Sequence, residues 1–84
     1  MDKNINAIEK IITELYFRDY KASMKKLTKT QKNNIRLGKK TFFDYGGVHF
    51  QKETMEAMRI RNDYIADKIT EEEYKRWCME YKYR

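Results

Sequence analysis

Length, composition and charge predict a single, mainly helical domain spanning residues 1–84. The chain is 40% hydrophobic, 38% charged and 14% aromatic, and it carries a net charge of +6. Too many large side chains are present for a disordered chain, and the single cysteine, Cys78, excludes an internal disulfide framework.

The absence of proline and the presence of only three glycines leave few places where a helix must stop. We therefore expect three to four helices. No apolar run is long enough to span a bilayer, and residues 1–4 do not open a signal peptide, so we predict a soluble protein of the cytoplasm. The richness in Lys, Asn, Ile and Tyr is typical of a low-GC bacterial host, a phage or another mobile element.

The first helix is predicted from an apolar stripe with 3, 4, 3 spacing, and Asp2 or Asn4 could cap it. A second stripe with the same spacing begins twelve residues after Ile5, which rotates it by about 120° around a continuous helix. We predict one long helix bridging two contacts, although a break near Tyr16 is the alternative. The first stripe contains Ile5, Ile8, Ile12 and Leu15, widened by Ile11, and the second contains Phe17, Tyr20, Met24 and Leu27.

Thr28 and Gln31 have the spacing of a capping box, and Gly38 lies where a helix often ends, so residues 29–37 are predicted to be a short helix. Residues 41–50 change character, because aromatic and β-branched residues flank Gly46 and Gly47. This segment predicts either a short β-hairpin or an aromatic loop pinned on the helices. A loop that contacts a ligand is the less favoured interpretation.

A third helix is expected from about residue 53 to 67, with Met55, Met58, Ile65 and Ile69 facing the core. The clearest signal in the chain follows it. Thr70 and Glu73 form a capping box, and three glutamates fill the first turn, where the helix dipole favours negative charge. Tyr74, Trp77, Cys78 and Tyr81 then share one helical face. The short connection makes residues 53–82 a C-terminal helical hairpin.

The run Asp67-Lys68-Ile69-Thr70-Glu71-Glu72-Glu73-Tyr74 resembles the short C-terminal helical-hairpin domain known as SHOCT, with the resemblance covering residues 58–82. The chain has Lys68 where that family usually has glycine, and Trp77, Cys78 and Tyr81 where it has leucines. The resemblance implies an oligomerisation or docking element and no catalytic residue.

No catalytic constellation, metal site or cofactor motif is apparent, so we expect a protein that is not an enzyme. His49 is the only histidine and has no nucleophile in a suitable context. Cys78 lies on an apolar stripe, which favours a core position. Consecutive helical positions at Glu71, Glu72 and Glu73 splay too widely to converge on one ion. Gly46 and Gly47 are not part of the glycine- and lysine-containing sequence pattern of a phosphate-binding loop.

The positive charge is concentrated between residues 18 and 40, where nine basic residues face the single acid Asp19, a local balance of +8. A block of like charges such as this one is typical of a surface that binds a polyanion. The candidate nucleic-acid-binding residues are Arg18, Lys21, Lys25, Lys26, Lys29, Lys32, Arg36, Lys39 and Lys40. Tyr16, Phe17 and Tyr20 interleave with these charges, and we weigh a core role for them against base stacking, with the core favoured.

Two classes of function follow. The first is a non-enzymatic module whose residues 18–40 bind DNA, RNA or a nucleoprotein complex. The second is a small phage- or plasmid-encoded inhibitor that acts by protein–protein contact on a host nuclease or defence complex, in the style of an anti-CRISPR protein. The two stripes on residues 5–27 also predict a homodimer. No membrane or small-molecule partner is expected.

Overall fold

The computed structural model describes residues 3–83, and helices dominate this part of the chain. It contains four α-helices: α1 (Asn6–Lys25), α2 (Lys29–Arg36), α3 (Lys52–Ile65) and α4 (Glu71–Lys82), with a 3-10 turn at Phe43–Tyr45. The mainly helical prediction and the helix count are confirmed. Among the described helices, none has the length and apolarity needed to cross a bilayer.

Helix α1 is continuous, as predicted, and its first stripe forms one side of the core. Ile8, Ile12 and Leu15 are buried, and Ile5 and Ile11 pack against them. The N-cap residue is Ile5, which makes no side-chain capping bond, so the predicted cap at Asn4 is wrong. Asn4 lies one residue earlier and accepts a hydrogen bond from the backbone N–H of Asn6 at 3.0 Å. Asp2, the other predicted cap, lies outside the described residues.

Helix α4 begins at Glu71, and the capping box between Thr70 and Glu73 is present in both directions. Tyr74 and Trp77 are buried, and Cys78 and Tyr81 pack against the core, so the predicted face is confirmed. Tyr74 stacks on Tyr64 of α3 with ring centroids 4.1 Å apart. The indole N–H of Trp77 donates to Glu56 at 2.7 Å, which satisfies its polar atom.

The predicted face of α3 and the turn after it is wrong at two of its four residues, whereas Met58 and Ile69 pack against the core as predicted. Met55 and Ile65 are more than half exposed, and the buried residues are Thr54, Ala57, Ile60 and Tyr64. Thr54 and Ala57 are small, so the backbones of α1 and α3 can approach closely there. Hydrophobicity alone favoured Met55 and Ile65, whereas the buried face combines these two small residues with Ile60 and Tyr64.

The predicted β-hairpin at residues 41–50 is also wrong, because residues 3–83 contain no strand. Thr41 and Asp44 instead form a reciprocal pair: the N–H of Thr41 donates to the Asp44 carboxylate at 2.8 Å, and the N–H of Asp44 donates to the Thr41 hydroxyl at 3.2 Å. This is the geometry of a capping box. It starts the 3-10 turn, which ends at Gly46 with a φ of 100°.

The molecule is elongated, with extents of 48 × 28 × 17 Å and a radius of gyration of 16.3 Å. A compact domain of this length would have a radius of gyration of about 12 Å. The core combines α1, α3 and α4, whereas α2 buries no residue. The described chain therefore consists of a three-helix core and a short helix displayed beside it.

We expect Trp77→Ala to lower the free energy of unfolding by about 3 to 5 kcal/mol, because the substitution leaves a large cavity in a small core. Chemical denaturation followed by circular dichroism measures the change. Met79→Ala is the matched control on the same helix, because Met79 is 62% exposed, and its effect should stay within about 0.5 kcal/mol. A loss below about 1 kcal/mol for Trp77→Ala would contradict a core role.

Candidate nucleic-acid interface

Asp19 is a buried carboxylate that fastens the far half of α1 to the start of α3. Its side chain is 1% exposed, and its Oδ2 atom accepts hydrogen bonds from the Thr54 hydroxyl at 2.6 Å and from the Gln51 N–H at 3.0 Å. Gln51 is the N-cap residue of α3 and its own side chain makes no capping bond. Asp19 therefore caps α3 from another helix, where the helix dipole favours its charge.

Arg18 completes the surroundings of this carboxylate. Its guanidinium donates to Oδ1 of Asp19 at 3.2 Å and to Glu53 at 3.3 Å. Burial alone would raise the pKa of Asp19, but the hydrogen bonds from Thr54, Gln51 and Arg18 outweigh it and hold this pKa below its ordinary value. Arg18 was predicted to contact phosphates, yet two carboxylates already engage its charge.

Ser23 makes a second polar attachment one turn further along α1. Its side chain is buried, and its hydroxyl accepts a hydrogen bond from the His49 N–H at 2.9 Å. Asp19 and Ser23 thus continue the stripe of Ile8, Ile12 and Leu15 with polar residues. Together they hold the segment that enters α3 against α1.

Beyond these attachments lies a segment that we call the basic lobe, residues 21–40. It contains eight basic residues and no acid, so it carries +8, and the remainder of the chain carries +6 − 8 = −2. Within residues 3–83, none of the eight forms an ion pair within 4 Å. All are exposed: Lys21, Lys25, Lys26, Lys29, Lys32, Arg36, Lys39 and Lys40.

Helix α2 orders part of this charge on one face. Its capping box between Thr28 and Gln31 is present as predicted, so the helical path breaks between α1 and α2. Lys29, Lys32 and Arg36 then follow i, i+3, i+7 spacing and line one shallow depression on the surface of the helix. Asn33 accepts a hydrogen bond from the Arg36 guanidinium at 2.7 Å, which orients it.

The remaining basic residues flank α2. Lys21 and Lys25 lie on the last turns of α1, Lys26 lies in the turn before Thr28, and Lys39 and Lys40 follow Gly38. The structure therefore displays eight of the nine predicted charges as one exposed segment, and Arg18 is the exception. The continuous ridge that an unbroken helix would create is absent.

The aromatic side chains near the basic lobe are not core residues, so the favoured interpretation of Tyr16, Phe17 and Tyr20 is wrong. Their side chains are exposed, and Phe17 is the most open at 57%. Four rings form what we call the aromatic row, in the order Phe50, Tyr16, Tyr20 and Phe42, with successive centroids 5.9, 6.4 and 5.3 Å apart.

Phe43 follows the aromatic row and is 84% exposed. Sequence reasoning placed it in a hairpin or loop and assigned it no role. The Thr41–Asp44 spacing is the signal that could have indicated the exposure of Phe43. A capping box predicts a helical turn, in which side chains point in other directions than they would in a strand. The hydrogen bonds from Thr41 also hold the pKa of Asp44 below its ordinary value.

Other groups that could carry chemistry are dispersed. Within residues 3–83, no three His, Cys, Asp or Glu side chains lie close enough to hold a metal ion. Cys78 is half-buried in a groove between α1 and α4, where burial raises the pKa of its thiol. The imidazole of His49 is exposed, and its residue is held through the backbone.

Comparison with known proteins adds no relative: the sequence matches no protein-family model, no curated protein and no solved structure.

We expect Asp19→Asn to lower the free energy of unfolding at neutral pH by about 2 to 3 kcal/mol, because the charge-assisted hydrogen bonds to Thr54, Gln51 and Arg18 weaken. The effect should depend on pH. Since the folded pKa of Asp19 is lowered, its contribution is fully present above the unfolded pKa near 3.8 and is lost as pH falls through the folded pKa.

Urea denaturation of the wild type and variant from pH 7 to about pH 2.5 measures this difference, which should shrink below about pH 4. Asp44 also loses stabilising bonds in acid, but it is common to both proteins and cancels. Glu14→Gln is the control, an exposed acid on the same helix. A constant difference between wild type and Asp19→Asn at every pH would contradict the role of the charge.

Proposed function

We propose that the protein is a non-enzymatic module that binds nucleic acid through the phosphates contacted by its basic lobe. The observation that carries this proposal is the set of eight exposed basic side chains with no ion pair among residues 3–83, on a segment without an acid. Solubility needs a mixture of both signs, and a field of one sign is typical of a surface that meets a polyanion.

The dimensions of α2 suit a phosphate backbone. Seven residues separate Lys29 from Arg36, which corresponds to about 10 Å along the helix axis. In duplex DNA each strand carries one phosphate per about 3.4 Å of helix axis, so the length of this face corresponds to about three phosphates of a duplex strand. Lys26 and Lys39 extend the positive surface at either end of the helix.

The second candidate function is an inhibitor of a host nuclease or defence complex, encoded by a phage or plasmid. Its support is a groove between α1 and α4 beside two exposed apolar side chains of the C-terminal segment, Met79 and Tyr83. Exposed apolar surface of this kind is typical of protein contacts. Such an inhibitor would use the basic lobe on an acidic protein groove or on nucleic acid already bound to its target.

We expect the triple variant Lys25→Glu, Lys29→Glu and Lys32→Glu to bind all nucleic-acid sequences more weakly, because phosphate contacts carry no base information. Each duplex phosphate contact contributes about −0.9 to the slope of log affinity against log salt, so five contacts give roughly −4 to −5. The slope should flatten in the variant. Titrations at several salt concentrations measure it, and thermal melts confirm folding.

The matched control is Lys10→Glu, Lys68→Glu and Lys82→Glu, which also takes the net charge from +6 to 0 but lies outside the basic lobe. It should keep most of the affinity and the slope. If the wild type binds no duplex or single strand more tightly than about 100 μM near physiological salt, the proposal of direct nucleic-acid binding is wrong. The inhibitor is then the better-supported function. The same charge reversals in the basic lobe should abolish capture of its acidic or nucleoprotein partner.

A homodimer is a further proposal, and the support for it is the exposed second stripe of α1. Phe17 at 57% and Tyr20 at 37% exposure lie on that stripe with the half-buried Met24 and Leu27. An apolar helix face of this kind can be covered by a second copy through a two-fold contact. The SHOCT resemblance of residues 58–82, which implies an oligomerisation or docking element, stays a prediction.

Sedimentation equilibrium tests the dimer. We expect the wild type to sediment as a dimer at high micromolar concentration and Phe17→Glu to sediment as a monomer, because a charge on the stripe opposes its burial. Met55→Glu is the control, since Met55 is similarly exposed on α3. A wild-type protein that remains monomeric at that concentration would refute the dimer.

A further inference from the structure

Phe43 is displayed by a turn that is tightly bonded within itself. Besides the reciprocal bonds of Thr41 and Asp44, the N–H of Gly46 donates to the Phe43 carbonyl at 3.0 Å, and the N–H of Gly47 donates to the Phe42 carbonyl at 3.0 Å. The side-chain amide of Asn34 in α2 donates to the Tyr45 hydroxyl at 3.2 Å. The turn is therefore held both internally and against α2.

The aromatic ring of Phe43 is left free by this arrangement. It is 84% exposed, and within residues 3–83 no other ring stacks on it, whereas its neighbour Phe42 packs against Tyr20. Leaving so large an apolar side chain in water forgoes most of the stabilisation that burial would give. A turn that is held by these hydrogen bonds and leaves a ring 84% exposed is suited to stacking on another flat group.

The charges that precede the turn in the sequence indicate which flat group the ring would meet. Lys39 and Lys40 precede the turn by a few residues, and both belong to the basic lobe. The nearby acid, Asp44, is engaged by hydrogen bonds from Thr41, and the charge of Lys40 acts on it as well. A base offers a flat aromatic face, and the phosphates beside it match the lysines.

On the basis of the proposed function, we propose that the ligand is single-stranded nucleic acid and that Phe43 stacks on one of its bases. In a duplex the faces of the bases are occupied by their neighbours, and proteins reach mainly base edges and phosphates. An exposed ring stacks most readily on a base that is already unstacked, because inserting it between the base pairs of a duplex costs a few kcal/mol per step. The basic lobe contacts the phosphates of single-stranded and duplex nucleic acid alike. The stacking of Phe43 on a base adds a preference for the single strand.

The decisive experiment compares Phe43→Ala with wild type by fluorescence anisotropy, using a labelled oligothymidylate of about 12 nucleotides and a mixed-sequence duplex. We expect Phe43→Ala to weaken single-strand binding about 5- to 150-fold, the range for loss of one stacked base. Duplex binding, the salt slope and the melting temperature should stay unchanged, because the ring is exposed and uncharged.

Two further variants sharpen the result. Leu37→Ala is the matched control, since Leu37 is an apolar side chain of the adjacent basic lobe with 52% exposure, and it should leave single-strand binding unchanged. Phe43→Trp should retain the affinity, and the added indole emission should be quenched when the oligothymidylate binds. The buried Trp77 also fluoresces, and the emission of the wild-type protein gives the background to subtract.

The outcomes separate the two proposals. If wild type binds neither oligonucleotide, the proposed function and this inference both fall. If wild type binds but Phe43→Ala binds the single strand equally well, the basic lobe remains the interface and the stacking role of Phe43 is wrong. That second result would also be expected if Phe43 contacts a protein partner, so it overturns the inference in either case.

Discussion

The arrangement of this molecule depends on one buried carboxylate. Asp19 has almost no contact with solvent, and an isolated charge in that position would be strongly destabilising. Hydrogen bonds from Thr54, Gln51 and Arg18 compensate it, and their donors come from the first turn of α3 and from α1 itself. The same contacts cap α3 and fix where α1 meets it. The hydrophobic core of α1 ends at Leu15, so the polar attachments decide how the last two turns are held.

This division gives core and basic lobe different physical roles. The core is close to neutral and is stabilised by packing among α1, α3 and α4, whereas α2 buries no side chain and is held by its cap and a few hydrogen bonds. The lobe can therefore carry eight like charges without placing them against the core. A bound polyanion would relieve the repulsion among these charges, so under the proposed function we expect substitutions in the lobe to change binding more than folding.

The features that sequence predicted well are local. The caps at Thr28 and Thr70 depend on residues three positions away, and both helix starts were found. The role of Asp19 was missed because its partners lie 32 and 35 residues away and its charge suggested solvent. The face of α3 was misplaced at Met55 and Ile65, because the hydrophobic pattern gave no weight to the small residues Thr54 and Ala57 that are buried there. For the candidate interface, sequence located the charges, but only the structure revealed their lack of ion pairs and the exposure of Phe43.

The central claim is that a basic lobe, attached to a neutral helical core, contacts nucleic acid. Backbone amide signals of isotope-labelled protein, followed during titration with a single-stranded oligonucleotide, test it most directly. The account predicts that the shifts concentrate in residues 21–47 and that the signals of α4 stay in place. Largest shifts in the groove between α1 and α4, around Ile11 and Met79, would contradict it, because that surface belongs to the core and lies outside the basic lobe.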